Sequence, residues 1–329
     1  MGWYAGLAGS RLYRGNLVQP VLVSVNACGQ AFCPAWPENC SLFCALGNNI
    51  SSSIYIVMKK VLIFFSGGEF SEGAFDFARK LNDIQPILLV GVFIPKMSYN
   101  SLWSSIPYTG YEFVPLLEPE IHGMKANISR FETDCRENSI EYHVHSTMED
   151  YSIKMLKKET RFGDLLIVSS DKFYEDTNGT GVPDYLQQVL HEAECPVIVV
   201  PEKYDFPTRN IFAYDGGESS VFAIRQFLWL FPEFSKNESS FVYVKEGGDL
   251  SIPDEEDIRE YAEPHLEHTE FLHLGMPSGK SFSSWVSQKK EPILIGGSYD
   301  RSGLSEMFKK PFFNEVIAER LLPVFIAHK

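Results

Sequence analysis

One short motif occurs twice in this chain, and the repeat constrains the fold more than any other feature. Residues 66–71 read Ser-Gly-Gly-Glu-Phe-Ser, and residues 215–220 read Asp-Gly-Gly-Glu-Ser-Ser. When 66–81 is aligned with 215–230, six of the sixteen positions are identical. Each motif follows an apolar run and precedes a segment with helical periodicity. A repeat at this separation indicates a duplicated domain and not the short period of a solenoid.

Both repeats show the same order of predicted elements. Val61–Phe65 is an uninterrupted apolar run, as expected for a strand that is buried on both faces. Ser71–Leu81 places its apolar and small residues on one helical face. Because strands and helices alternate, the chain is predicted to be α/β, with right-handed crossovers, parallel strands and helices on both faces of the sheet. The strands are predicted near 61–65, 87–94, 142–146, 165–169 and 197–200, and then near 210–214, 241–245, 270–274, 293–296 and 324–327.

The length of 329 residues allows about two domains. We predict that residues 58–203 form the first domain and residues 207–329 the second, and we call them copy one and copy two. Pro201–Pro207 is expected to be a short polar link between them. Residues 1–57 show neither the alternation of apolar and polar residues that is typical of strands nor the apolar spacing that is typical of helices. They are predicted to be an extension outside the fold. Either translation begins at Met58, or the extension is a regulatory or export segment.

Charge and cysteine content narrow the function classes. A net charge of −14 disfavours a general nucleic-acid or anionic-membrane binder, since both need a basic surface. No stretch of about 18 apolar residues occurs, so no membrane helix is predicted. Cys135 and Cys195 stand far apart in the body, which favours a reducing compartment and predicts a cytoplasmic protein. The other four cysteines lack the paired spacing of a zinc knuckle, and no metal site is predicted from Cys28, Cys33, Cys40 and Cys44.

Three segments of copy two have motifs in common with one known family. Asp215 follows the first strand and precedes Gly-Gly-Glu-Ser-Ser, which is similar to the opening D-x-S-x-x-S/A. Residues 293–304, Ile-Leu-Ile-Gly-Gly-Ser-Tyr-Asp-Arg-Ser-Gly-Leu, are similar to a fourth strand followed by a G-S-H-G-R-S-G-L-like loop. Together with residues 315–325, which are similar to a last helix and strand, these motifs resemble the universal stress protein family, and the likeness covers nearly all of 60–329. It implies two tandem doubly wound domains, each a five-stranded parallel sheet of order 3-2-1-4-5, which pair as family dimers do.

The resemblance also suggests where a nucleotide would bind. Many family members hold ATP or AMP with a G-x2-G-x9-G-(S/T) loop at the carboxyl ends of strands 1 and 4. In such a loop the glycines let backbone N–H groups approach the phosphates, and a helix N-terminus adds a favourable dipole. Carried over to copy two, the cofactor-binding residues would be Asp215, Gly297, Ser298 and Gly303.

The chain departs from this loop pattern in both copies. In copy two, Asp300 stands at the second glycine, Lys310 at the third and Pro311 at the hydroxyl position. A carboxylate repels phosphate, and proline lacks both the N–H and the hydroxyl donor. In copy one, Ser66 replaces the aspartate, and Ser-Ser-Asp-Lys at 169–172 replaces the glycine loop. Degenerate nucleotide-binding loops are therefore predicted in both copies.

Other motifs carry little chemistry. Gly275–Ser281 resembles a P-loop but is one residue too short, and it fits the family's connection from strand 3 to helix 3. His143 and His145 share one face of a predicted strand and are expected to be exposed at a sheet edge. No nucleophile elbow and no redox pair occurs.

These observations predict a non-catalytic stress-response or signalling protein. It is expected to need no cofactor, to act through a protein partner, and to bind neither nucleic acid nor membrane. The alternative is a universal stress protein that binds ATP or AMP in copy two, with slow ATP hydrolysis.

Overall fold

The structure is a computed structural model whose described part begins at Met58. The prediction that residues 1–57 form an extension lies outside the described residues and stays a prediction, as do the two domain boundaries. The described ranges are 58–66, 69–94, 118–146, 153–171, 184–245, 251–276, 279–297 and 312–328.

Strands and helices alternate along both copies, as the apolar runs predict. In copy one the order is β1 (Lys59–Ser66), α1 (Glu72–Ile84), β2 (Ile87–Ile94), α2 (Glu118–Glu137), β3 (Glu141–Ser146), α3 (Ile153–Thr160), β4 (Leu165–Ser169), α4 (Asp184–Glu192) and β5 (Val197–Val200). In copy two it is β6 (Arg209–Ala213), α5 (Glu218–Leu230), a short 3₁₀ helix (Pro232–Lys236), β7 (Glu238–Val244), α6 (Glu255–Ala262), β8 (His268–Leu274), α7 (Gly279–Ser287), β9 (Pro292–Gly297), α8 (Phe312–Glu319) and β10 (Val324–Ala327).

The ten strands form one sheet in the order β3-β2-β1-β4-β5-β10-β9-β6-β7-β8. Within each copy, neighbouring strands are parallel and follow the predicted order 3-2-1-4-5, so the predicted fold class is confirmed. The copies meet where β5 and β10 pair antiparallel, with Val199 opposite Val324 and Val197 opposite Ile326. The two sheets are therefore one continuous surface, and their strands point in opposite directions.

Helices cover both faces of this sheet and define two apolar layers. One layer contains buried residues of α1, α2, α5 and α6, and the other contains buried residues of α3, α4, α7 and α8. Central strands such as β4 are buried on both faces, which explains why they read as continuous apolar runs in the sequence. The carboxyl ends of the strands are then the natural place for a ligand site.

The short connection between the copies is packed against α1. We call residues 201–207 the strap. The rings of Tyr204 and Phe206 lie 5.9 and 5.3 Å from the ring of Phe77 in α1. The ammonium of Lys80 lies over both strap rings, at 5.5 and 5.6 Å. Phe206 also contacts Phe234 of the 3₁₀ helix, 5.8 Å between ring centroids, so the strap ties α1 to copy two.

Among the described residues, two ion pairs also join the copies. The Lys59 ammonium lies 3.1 Å from a Glu233 carboxylate oxygen, and it is also placed over the ring of Phe231. The Arg320 guanidinium, just after α8, lies 3.3 Å from the carboxylate of Asp171 at the end of β4. In the described part of the chain, no helix is long and apolar enough to span a membrane.

Cys135 and Cys195 are both free thiols in the apolar layers. Burial raises the pKa of Cys195 to about 12 and raises the pKa of Cys135 well above its ordinary value. Because the thiolate is the reactive form, we expect neither thiol to react with iodoacetamide in the folded chain at mildly alkaline pH. Both should react once guanidinium unfolds it. Peptide mapping by mass spectrometry shows which of the two cysteines is labelled. Labelling of Cys135 before unfolding would contradict its burial.

Candidate functional site

The carboxyl end of β6 in copy two carries the predicted aspartate. One carboxylate oxygen of Asp215 accepts hydrogen bonds from the backbone N–H of Gly217, at 2.9 Å, and from the hydroxyl of Ser220, at 2.6 Å. The intervening Gly216 has a φ of +75°, a conformation that side chains with a Cβ rarely adopt. Asp215 therefore holds the turn from β6 into α5 together, which is the turn-capping alternative to a nucleotide contact.

Gly297 ends β9 and lies against the first turn of α5. A Cβ atom at this position would be 2.3 Å from the backbone carbonyl of Ser219 and 2.7 Å from the backbone nitrogen of Ser220. The structure thus brings Asp215 and Gly297 to the same edge of the sheet, on either side of one helical turn. It leaves no room for a side chain between β9 and that turn.

The other residues that were predicted to contact a nucleotide lie outside the described part of the chain. Ser298 and Gly303 lie outside the described residues, and so do Asp300, Lys310 and Pro311. The altered phosphate loop of copy two is therefore still a prediction from the sequence.

The described part of this site is rich in carboxylates. Tyr214, which follows β6, is buried, and desolvation raises its pKa to about 12, with further contributions from the negative charges of Asp254, Asp215 and Asp257. Asp254 precedes α6 and approaches the Gly216 turn, since its carboxylate would be 3.7 Å from a Cβ on that glycine. A phosphate group placed here would meet these negative charges, and Coulomb repulsion opposes its binding.

The raised pKa of Tyr214 has a measurable consequence. The ordinary tyrosine pKa is 10.0, so between pH 10 and about pH 12 the unfolded chain loses this proton while the folded chain keeps it. The free energy of unfolding should therefore be unaffected by Tyr214 below this window and should fall as the pH rises through it. We expect Tyr214→Phe to make that decline shallower, measured by urea denaturation at a series of pH values. An unchanged slope would contradict the raised pKa.

Copy one uses different chemistry at the start of its first helix. Ser71 is the N-cap of α1, and its hydroxyl accepts a hydrogen bond from the backbone N–H of Ala74, at 3.2 Å. Glu72 begins α1 six residues after Ser66, whereas Glu218 begins α5 three residues after Asp215. The connection in copy one is therefore longer, and the repeated motif does not occupy equivalent positions in the two helices.

A carboxylate from the strap is bound at this helix start. The hydroxyls of Ser71 and Ser169 donate to one oxygen of Glu202, at 2.5 and 3.0 Å. The backbone N–H of Gly73 donates to the other oxygen, at 3.2 Å. Sequence reasoning missed Glu202, because nothing in the sequence of the strap indicates that it folds back onto α1.

The other motifs acquire structural explanations. His143 and His145 lie on the edge strand β3 but are half-buried, so their predicted exposure is wrong. A ring nitrogen of His145 is 2.8 Å from the carboxylate of Glu159 in α3. Gly275 and Gly279 flank the connection from β8 to α7, as expected for strand 3 and helix 3. Among the described residues, no group of three or more potential ligands could hold a metal ion.

No protein-family model matches the chain, and no curated protein matches it. Solved structures do match. A universal stress protein from Archaeoglobus fulgidus DSM 4304 is 15% identical with a TM-score of 0.53, over 82% of this chain and 96% of that chain. A candidate universal stress protein from Pseudomonas aeruginosa UCBPP-PA14 is 11% identical with a TM-score of 0.50, over 83% of this chain and 94% of that chain.

A third match is a protein of unknown function from Pseudomonas aeruginosa PAO1. It is 12% identical with a TM-score of 0.51, over 83% of this chain and 93% of that chain. At these identities the likeness concerns the fold, and it extends over both copies and nearly the whole of each similar protein. It confirms the resemblance seen in the sequence: the chain has the universal stress protein fold, built from two consecutive copies.

Proposed function

We propose that this chain is a non-catalytic stress-response or signalling protein whose two strand-end sites have lost ordinary nucleotide binding. The observation that carries the proposal is the set of hydrogen bonds and neighbouring charges around Asp215. Its carboxylate is engaged by Gly217 and Ser220, beside the further negative charges of Asp254 and Asp257. An aspartate with one carboxylate oxygen used by its own turn has less capacity to accept hydrogen bonds from ribose, and its neighbours disfavour phosphate.

Copy one supports the same proposal through the residues that replace its nucleotide contacts. Its place for the aspartate is taken by Ser66, and the carboxylate of Glu202 already uses the donors at the start of α1. Neither copy then offers a free phosphate cradle among its described residues. Without a nucleotide, the protein would work by presenting its surface to a protein partner, and we propose that it does so in the cytoplasm.

A nucleotide-binding protein is the second candidate. Asp215 and Gly297 do lie at one sheet edge, as they would in a working site, and the described part of β9 ends at this edge with Gly297. In this case the segment after β9 would have to supply the phosphate contacts through Lys309 or Lys310 in place of the missing glycine and hydroxyl.

Native mass spectrometry of the purified chain, followed by calorimetry with ATP and AMP, separates the candidates. We expect no retained nucleotide and no binding heat up to millimolar ligand, a limit that corresponds to about 4 kcal/mol of binding free energy. Retention of a stoichiometric nucleotide would overturn the proposal. A pull-down from stressed cells, repeated with unstressed cells as the control, then tests the protein partner.

A further inference from the structure

The bound carboxylate of Glu202 suggests how copy one is kept closed. The start of an α-helix presents unsatisfied N–H groups and the positive end of the helix dipole, and it commonly attracts an anion. At α1 an anion is already present, and it comes from a residue 129 positions after Gly73.

The surroundings of Glu202 fit this carboxylate closely. Ser71 belongs to α1, whereas Ser169 belongs to the end of β4, so donors from two separate elements converge on one oxygen. A Cβ atom on Gly73 would lie 2.2 Å from the carbonyl oxygen of Pro201. Only a glycine at this point of α1 allows the strap to approach closely enough for Glu202 to reach the helix start.

The strap is also held from its other side. The backbone N–H of Glu202 donates to the carboxylate of Asp171, at 2.9 Å. The other oxygen of Asp171 accepts from Arg320 of copy two, at 3.3 Å. The position of Glu202 thus depends on contacts with both copies, which is more than a solvent-exposed linker residue requires.

We propose that Glu202 is a built-in occupant of copy one: its carboxylate fills the anion position between α1 and β4 and keeps external phosphate groups out. This inference deepens the proposed function, since it assigns a cause to the closure of copy one. It makes the strap an autoinhibitory element, because a phosphate-bearing ligand could enter only by displacing Glu202.

The test compares three full-length proteins: the wild type, Glu202→Ala and Asp205→Ala. Asp205 is an exposed residue of the same strap, so its substitution removes the same charge without opening the cradle. The unfolding midpoint of each protein is measured as inorganic phosphate replaces chloride at constant ionic strength. For Glu202→Ala we expect phosphate to raise the midpoint by about 2 to 5 °C at ten times its Kd. The wild type and Asp205→Ala should show only the smaller rise that phosphate gives to folded proteins in general.

Two further variants identify the cradle itself. Adding Ser71→Ala to Glu202→Ala removes a donor and should abolish most of the phosphate response. Glu202→Gln keeps a side chain of the same shape in the cradle and should respond little. If Glu202→Ala does not unfold cooperatively, Glu202→Ser takes its place, since its hydroxyl is too short to fill the position. A response no larger than that of Asp205→Ala would overturn the proposal.

AMP is tested beside phosphate to distinguish the source of the phosphate group. A larger midpoint shift with AMP indicates that the opened cradle accepts a nucleotide, and a shift with phosphate alone indicates a free anion; both support Glu202 as the occupant. Nucleotide retained by the wild-type chain would overturn the proposed function. This inference would still stand if Glu202→Ala bound one further phosphate group, and it would fail if Glu202→Ala bound no more than the wild type.

Discussion

Gly297→Ala is expected to destabilise the folded chain by about 3 kcal/mol in buffer that contains no nucleotide. The added Cβ would lie 2.3 Å from the backbone of Ser219, and backbone atoms at the start of α5 cannot move aside as a flexible side chain can. Relief requires β9 and α5 to separate, although β9 is a buried strand of the sheet and α5 packs on that sheet. Urea denaturation of the two proteins measures the difference in the free energy of unfolding.

The outcome distinguishes two roles for this glycine. If Gly297 served only to let a ligand approach the backbone, alanine would weaken binding and leave the stability without ligand unchanged. Gly275→Ala is the matched control, because a Cβ there would have its nearest neighbour, the carbonyl oxygen of Lys245, at 4.0 Å. We expect it to change the stability by less than about 0.5 kcal/mol. Equal effects of the two substitutions would contradict the close packing of β9 on α5.

The elements of the fold could be predicted because they are local patterns. Val61–Phe65 and Leu165–Val168 are apolar throughout, and such runs occur in strands that helices cover on both sides. The strand order followed from the resemblance, not from the apolar pattern. The merging of the two sheets at β5 and β10 could be anticipated only as a pairing of family type.

The proximity of Asp215 and Gly297 could be predicted, but the contacts of Asp215 could not. The carboxyl ends of parallel strands meet at one edge, so Asp215 and Gly297 were expected near each other. Whether Asp215 faces a ligand or its own turn depends on the φ of Gly216 and on the position of Ser220, which are properties of the folded chain. The contact of Glu202 with α1 depends on the path of the strap, and the sequence contains no periodicity that reports it.

The alignment of the repeated motif was also misleading in one respect. Identical residues placed Ser71 opposite Ser220, yet Ser71 is the N-cap of α1, whereas Ser220 lies within the first turn of α5. The glycines and small polar residues of a turn match by composition even when the turns differ in length.

The second large effect is expected at Phe227, the centre of the aromatic cluster of copy two. Phe227 is fully buried in α5, and its ring lies 5.7 Å from the ring of Phe212 in β6 and 5.2 Å from that of Phe325 in β10. The rings of Phe231 and Phe234 lie 5.2 and 5.8 Å away. These partners are held by different elements, so they cannot all move inward to fill the space that alanine would leave.

We therefore expect Phe227→Ala to lower the free energy of unfolding by about 3 to 5 kcal/mol, the sum of lost apolar transfer and an unfilled cavity. Phe162→Ala is the control, since Phe162 is 66% exposed and should contribute less than about 0.5 kcal/mol. Urea denaturation of both variants measures these differences. Because β10 joins copy two to copy one through β5, the loss should also weaken the pairing of the copies. Two results together would contradict the central place of Phe227. The fluorescence and circular dichroism transitions would stay coincident, and the free energy of unfolding would fall by less than about 1 kcal/mol.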